Sequence, residues 1–150
     1  MFSTINKFGR FAAARTDKAI VYSIGGNEWF GISKDNRSML FTTGKGSSPS
    51  PVDHILMALG ACSADDVKYV LEKNERIVNK LSVDIEGEFA PDPPNRLSEI
   101  RVRFNLDSPN ALEEDIKIVG DTVLEKLCPV AMTLTSKPNI KAKATLVNKK

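Results

Sequence analysis

The sequence predicts an α+β fold in a single domain spanning residues 1–150. Three observations carry that expectation. The chain opens with short apolar segments broken by Gly and Asn, a long apolar helix signal begins at Ser50-Pro51, and two segments starting near Leu81 and Ile100 alternate apolar with polar residues. With 41% hydrophobic and 27% charged side chains, 150 residues are enough to bury a core without cross-links.

From about Arg10 to Thr43, the runs Ala19 to Ile24, Trp29 to Ile32 and Met39 to Phe41 are separated by Gly25-Gly26-Asn27 and Asp35-Asn36. Short β-branched and aromatic runs between such turn residues read as an antiparallel meander. The Gly44 to Pro51 loop holds Gly, Lys and Ser but lacks the spacing and Gly-Lys-Ser/Thr order of a phosphate-binding loop.

Ser50, Pro51 and Asp53 then match a helix start: an N-cap, proline in the first turn and an acid three after the cap. The helix is expected to run to about Lys73. Val52, Ile55, Leu56, Leu59, Ser63, Val67 and Val70 form its inward stripe, while Met57, Ala58, Ala61 and Ala64 deny it a polar face. A helix apolar nearly all round is expected to be covered on all sides, and its small residues admit a close backbone.

Leu81 to Glu86 and Ile100 to Leu106 read as two half-buried strands of a hairpin, joined through Pro91 to Asn95. Ser108-Pro109 predicts a second helix with Leu112, Ile116, Val119, Val123 and Leu127 on one face and a Glu113/Lys117 pair on another, weakened slightly by Gly120. Cys128-Pro129 predicts a short third helix to about Thr135. Ile140, Ala142, Ala144 and Leu146 alternate with Lys141, Lys143 and Thr145 as a last strand.

A formal charge of +2 is too small to argue for nucleic acid or an anionic membrane surface, and no apolar stretch approaches spanning length. No nucleic-acid or membrane partner is expected. Residues 1–15 are basic and acid-free like a transit peptide, but Gly9 weakens an amphipathic helix there, so the segment reads as a mature N-terminus. Two cysteines make no disulfide framework, which points to a reducing compartment, the cytoplasm.

Those cysteines are the residues through which chemistry would run. Zinc is disfavoured because Cys62, Cys128 and the single histidine, His54, are three ligands without a metal-binding spacing. Cys62 and His54 stand eight residues apart on one helix, about 12 Å along its axis and out of hydrogen-bond reach. Asp65 and Asp66, at i+3 and i+4, disfavour a Cys62 thiolate, whereas Cys128 at a helix N-cap gains amide and dipole stabilisation. On residue physics alone a redox dithiol and two unrelated core cysteines both remain open.

The segments Ser48 to Ser63 with Asp66-Val67, and Glu125 to Met132, resemble the two cysteine motifs of the OsmC/Ohr superfamily, the osmotically induced and organic hydroperoxide resistance proteins. The likeness runs from Ile20 to Val147 and is nearer the OsmC-like branch. It implies an OsmC-like fold in which antiparallel sheets wrap long central helices in an intertwined homodimer. It also implies a thiol-dependent peroxidase: Cys62 attacks hydrogen peroxide or an organic hydroperoxide, Cys128 closes the disulfide, and a cellular dithiol reduces it. No cofactor and no metal are expected.

The likeness has two departures. The family's glutamate, ten residues before the first cysteine, is here Val52, with Asp53 beside it. The family's arginine, which steadies the thiolate, is matched by Arg15, with Arg37 as runner-up. The competing reading is a non-catalytic dimeric module binding a small ligand in the same fold. Thiols facing each other in one cleft favour the enzyme; thiols in separate core regions favour the binder.

Overall fold

The structure, a computed structural model, describes residues 16–144. Arg15 and the basic N-terminal segment lie outside the described residues.

Strands β1 (Ala19–Gly25), β2 (Glu28–Ser33) and β3 (Ser38–Thr42) form an antiparallel sheet in sequence order. The β1–β2 turn is two residues long, with Gly25 paired to Glu28 and Gly26 at φ +55°, a backbone setting that glycine adopts without steric cost. Helix α1 (Pro51–Lys73) follows, then the antiparallel pair β4 (Lys80–Phe89) and β5 (Leu97–Asp107). Helix α2 (Glu113–Thr122), a π-helical turn (Val123–Leu127) and helix α3 (Pro129–Ser136) complete the order.

The start of α1 follows from its capping box. Ser50 Oγ accepts from the Asp53 amide at 3.1 Å, and Asp53 Oδ2 accepts from the Ser50 amide at 2.9 Å, so two of the helix's unpaired donors are satisfied reciprocally. In β4 and β5 every second residue is half-buried, and Leu81, Ile85, Val102, Phe104 and Leu106 pack toward the helices. Two glycines set how closely the layers approach. A Cβ on Gly60 would meet Ile85 Cδ1 at 2.8 Å, and one on Gly120 would meet the Phe104 ring at 2.9 Å. Gly120 is therefore a contact point for β5 as well as a weak helix former.

The core comprises Leu59, Val67, Val70 and Leu71 of α1 with Val119, Val123, Cys128 and Ala131 of the later helices. An ion pair from Arg76 Nε to Asp115 Oδ2 at 2.8 Å ties the end of α1 to the start of α2.

Three expectations are corrected. α1 is not covered on all sides within this chain: Ile55, Met57, Ala58 and Ala61 stay exposed. Ser108-Pro109 does not open α2. Ser108 Oγ accepts from the Ala111 amide at 3.0 Å in a turn, and α2 begins at Glu113, where the Asp115 carboxylate takes the Leu112 amide at 2.9 Å and Leu112 itself is exposed. Finally, residues 140–144 form no strand: alternation becomes a strand only beside a hydrogen-bonding neighbour, and they pair with none of the described strands. The rest of that predicted strand lies outside the described residues.

Candidate active site

Cys62 lies on the inner side of α1, half-buried, next to Ser63, whose buried hydroxyl donates back to Leu59 O at 2.8 Å on its own helix. One turn further on, Asp66 projects from the same side. Cys128 is fully buried and arrives by a different route. The π-helical turn before it is closed by the Cys128 amide donating to Val123 O at 2.8 Å, an i to i−5 bond that widens the turn by one residue. Val123, fully buried, anchors that turn in the core. Cys128 then takes extended backbone and caps α3, its Sγ accepting from the Ala131 amide at 3.5 Å.

Tertiary packing of α3 on α1 brings the three groups together: Cys62 Sγ, Cys128 Sγ and an Asp66 carboxylate oxygen lie within 4.8 Å of one another. The N-terminus of α3 serves both sulfurs, because the Val130 amide donates to Cys62 while the Ala131 amide donates to Cys128. Burial nonetheless pushes the Cys62 thiol up to about 11. Hydrogen bonding and charge from Cys128 and the negative charge of Asp66 add to that rise, and the Val130 amide opposes it. Among the described residues, the charged neighbours acting on Cys62 are therefore all anionic.

The other sequence candidates lie elsewhere. His54 stays on the first turn of α1, its Nδ1 against Ser50 O at 2.9 Å and its ring 4.4 Å from that of Phe41. Arg37 sits in the β2–β3 turn, its amide donating to Ser33 Oγ at 3.2 Å, and is not among the charges that act on Cys62. Val52 is half-buried in the first turn of α1, where Asp53 is taken up by the cap; the Ser50 hydrogen bonds hold the Asp53 carboxyl below its usual range. Sequence reasoning treated Asp65 and Asp66 alike. The fold separates them, leaving Asp65 exposed and Asp66 half-buried beside both sulfurs, and the only signal for this was the i+4 spacing from Cys62.

The two thiols thus share one site rather than lying in separate core regions. The arrangement therefore supports a dithiol–disulfide couple, a thiol nucleophile with a neighbouring resolving thiol, or a soft-cation ligand set.

Comparison with known proteins bears on the choice. The family model described as OsmC-like protein matches residues 44–143. Protein YhfA of Escherichia coli (strain K12) is 29% identical over 124 residues, covering 82% of this chain and 92% of the relative. An OsmC-like protein from Mycoplasma pneumoniae superposes with a TM-score of 0.68 at 23% identity, over 91% of this chain and 99% of that one. An organic hydroperoxide resistance protein OsmC from Legionella pneumophila does so with a TM-score of 0.60 at 15% identity, over 82% and 91%. At those identities the two structures establish a shared fold.

Proposed function

Because the chain belongs to the OsmC-like protein family, we propose that it is a thiol-dependent peroxidase acting on hydrogen peroxide or organic hydroperoxides. The observation that carries this reading is the approach of Cys62 Sγ and Cys128 Sγ within 4.8 Å, which their separation in sequence left open. The Cys62 thiolate attacks the peroxide's terminal oxygen, the O–O bond breaks, and protonation of the departing oxygen yields an alcohol or water with a Cys62 sulfenic acid. Cys128 sulfur displaces hydroxide from that sulfenic acid, releasing water and forming the disulfide. A dithiol reductant in the cytoplasm returns both thiols by exchange, with Cys128, stabilised by the α3 amides, as the thiolate that leaves.

Among the described residues, burial and anionic neighbours raise the Cys62 thiol, so this chemistry needs a cation. Arg15 is assigned that role. A homodimer supplies the setting, since the uncovered α1 face and the apolar β1–β3 sheet both call for a second copy.

The second reading, a binding module without chemistry, is favoured by one feature. An open groove of about 430 Å³ between α1 and β4 is lined by Leu56, Met57, Ala61, Ala64, Leu81 and Ile85, an apolar surface able to hold a small ligand without use of either thiol.

Single-turnover oxidation with cumene hydroperoxide separates the two. Cys62→Ser is expected to abolish peroxide consumption, and Cys128→Ser to stop after one equivalent with a Cys62 sulfenic acid that dimedone traps. An adduct on Cys128 alone reverses the roles, and no oxidation of either thiol in the wild type leaves the binding module.

A further inference from the structure

We propose that the reduced protein binds one thiophilic divalent cation per chain, with zinc as the first candidate, through Cys62 Sγ, Cys128 Sγ and the Asp66 carboxylate. The argument against zinc from sequence counted Cys62, Cys128 and His54 and found no metal spacing. The fold replaces His54 with Asp66, one turn beyond Cys62 on α1, and brings Cys128 to the same point from α3.

Three features support the assignment. The donor atoms already lie within 4.8 Å of one another, gathered from two helices around one point that a small cation could occupy. Two thiolates and a carboxylate are a soft, anionic set that selects zinc over calcium or magnesium, and three protein ligands leave one tetrahedral position open. The Val130 and Ala131 amides, which donate to Cys62 and Cys128 respectively, can keep those bonds when the sulfurs are thiolates, the outer-shell support that metal-bound ligands need. Cys128 is sealed in the core while Cys62 is only half-buried, so the cation would enter past Cys62.

Binding a divalent cation deprotonates the thiols it coordinates. The two sulfurs are then blocked as nucleophiles. Conversely, closing the disulfide removes both thiolate ligands and ejects the metal, so the site would hold a cation only in the reduced protein. The binding itself does not rest on the peroxidase reading.

The test uses the full-length protein, reduced and freed of metal with a chelator, titrated with Co²⁺ and then displaced with Zn²⁺. One equivalent per chain should produce a thiolate-to-cobalt charge-transfer band that zinc removes, with release of two protons. Cys62→Ser and Cys128→Ser should each lose tight binding, and Asp66→Asn should weaken it about tenfold or more. Wild type oxidised with diamide, which takes the two thiol hydrogens and leaves the disulfide, should show no band, a control that requires no variant to fold. The absence of a band in the reduced protein, a band of full intensity in either cysteine variant or after diamide, or a light-scattering mass that rises with metal as chains are bridged would overturn the proposal. Loss of binding with intact peroxide consumption would overturn the metal site and leave the peroxidase standing.

Discussion

The helical layer and the β1–β3 sheet share one chain but stand in opposite relations to water. In the helical layer, Leu71, Val67, Val123 and Cys128 are sealed from solvent by neighbours in the same chain. In the sheet, every residue of β1 is exposed, with Ile20 and Ile24 at 57%, Val21 at 55% and Tyr22 at 50%, and alternation places them on both faces. The first region has its core; the second has the residues for one, and the described part of this chain leaves most of them uncovered. Apolar periodicity states that a surface will be covered and is silent about which chain covers it. The two cysteines belong to the self-sufficient region, and the described charges acting on Cys62 are anionic.

The contrast can be broken from either side. The largest effect is expected in the helical layer: Leu71→Ala should cost about 2–5 kcal/mol in chemical denaturation, through lost burial and a cavity between helices with little room to collapse. A cost well below that range would mean the layer is less self-contained than its burial indicates.

Next in size is Val21→Asp in the sheet. On a truly solvated sheet this change is nearly neutral. On one covered by a second copy it should raise the dimer dissociation constant by about a hundredfold or more, read by sedimentation at decreasing concentration, because an unpaired carboxylate would be trapped in an apolar contact. A sheet that tolerates the aspartate with no change of mass would show that its apolar faces are not an interface.

A third experiment addresses the link between the regions. The described groups place Cys62 at about 11, so its iodoacetamide alkylation, followed in chelator, would rise roughly tenfold per pH unit through the neutral range if nothing else acted on it. With Arg15 in the assigned role, the wild-type midpoint should fall at least about one unit below that value, and Arg15→Gln should return it toward 11. A profile unchanged by Arg15→Gln removes Arg15 from the site.

The smallest change is Asp53→Ala, which removes half of the α1 capping box and should lower stability slightly without altering the thiols. The folded Asp53 carboxyl titrates below its usual range, so its contribution is present above the unfolded value, 3.8, and is lost as pH falls toward the folded one. Wild type and variant should therefore converge in stability under acid conditions.

What the sequence disclosed follows the range of the forces involved. The start of α1 was legible because Ser50, Pro51 and Asp53 form a local motif, and the β4–β5 hairpin because period-two patterning needs only its own residues. α2 was placed four residues early, at N-cap Ser108 in place of Leu112, because Ser108-Pro109 reads the same whether it caps a helix or a turn. The meeting of Cys62 with Cys128 was illegible to local physics, since helices distant in sequence produce it, and it came into view only through the family resemblance. Asp66 was in plain sight at i+4, yet no local rule distinguished it from Asp65.

The π-helical turn ahead of Cys128 makes this stretch more sensitive to length than to composition. Deleting one residue between Val123 and Leu127 would let the chain relax to ordinary α-helical spacing and swing everything after it by roughly 100° about the axis, the angle of one residue in a helix of 3.6 per turn. Cys128 would leave the Cys62 and Asp66 side while every residue of the motif remained. Lineages of this domain should therefore hold the number of residues in that stretch fixed even where its exposed side chains change.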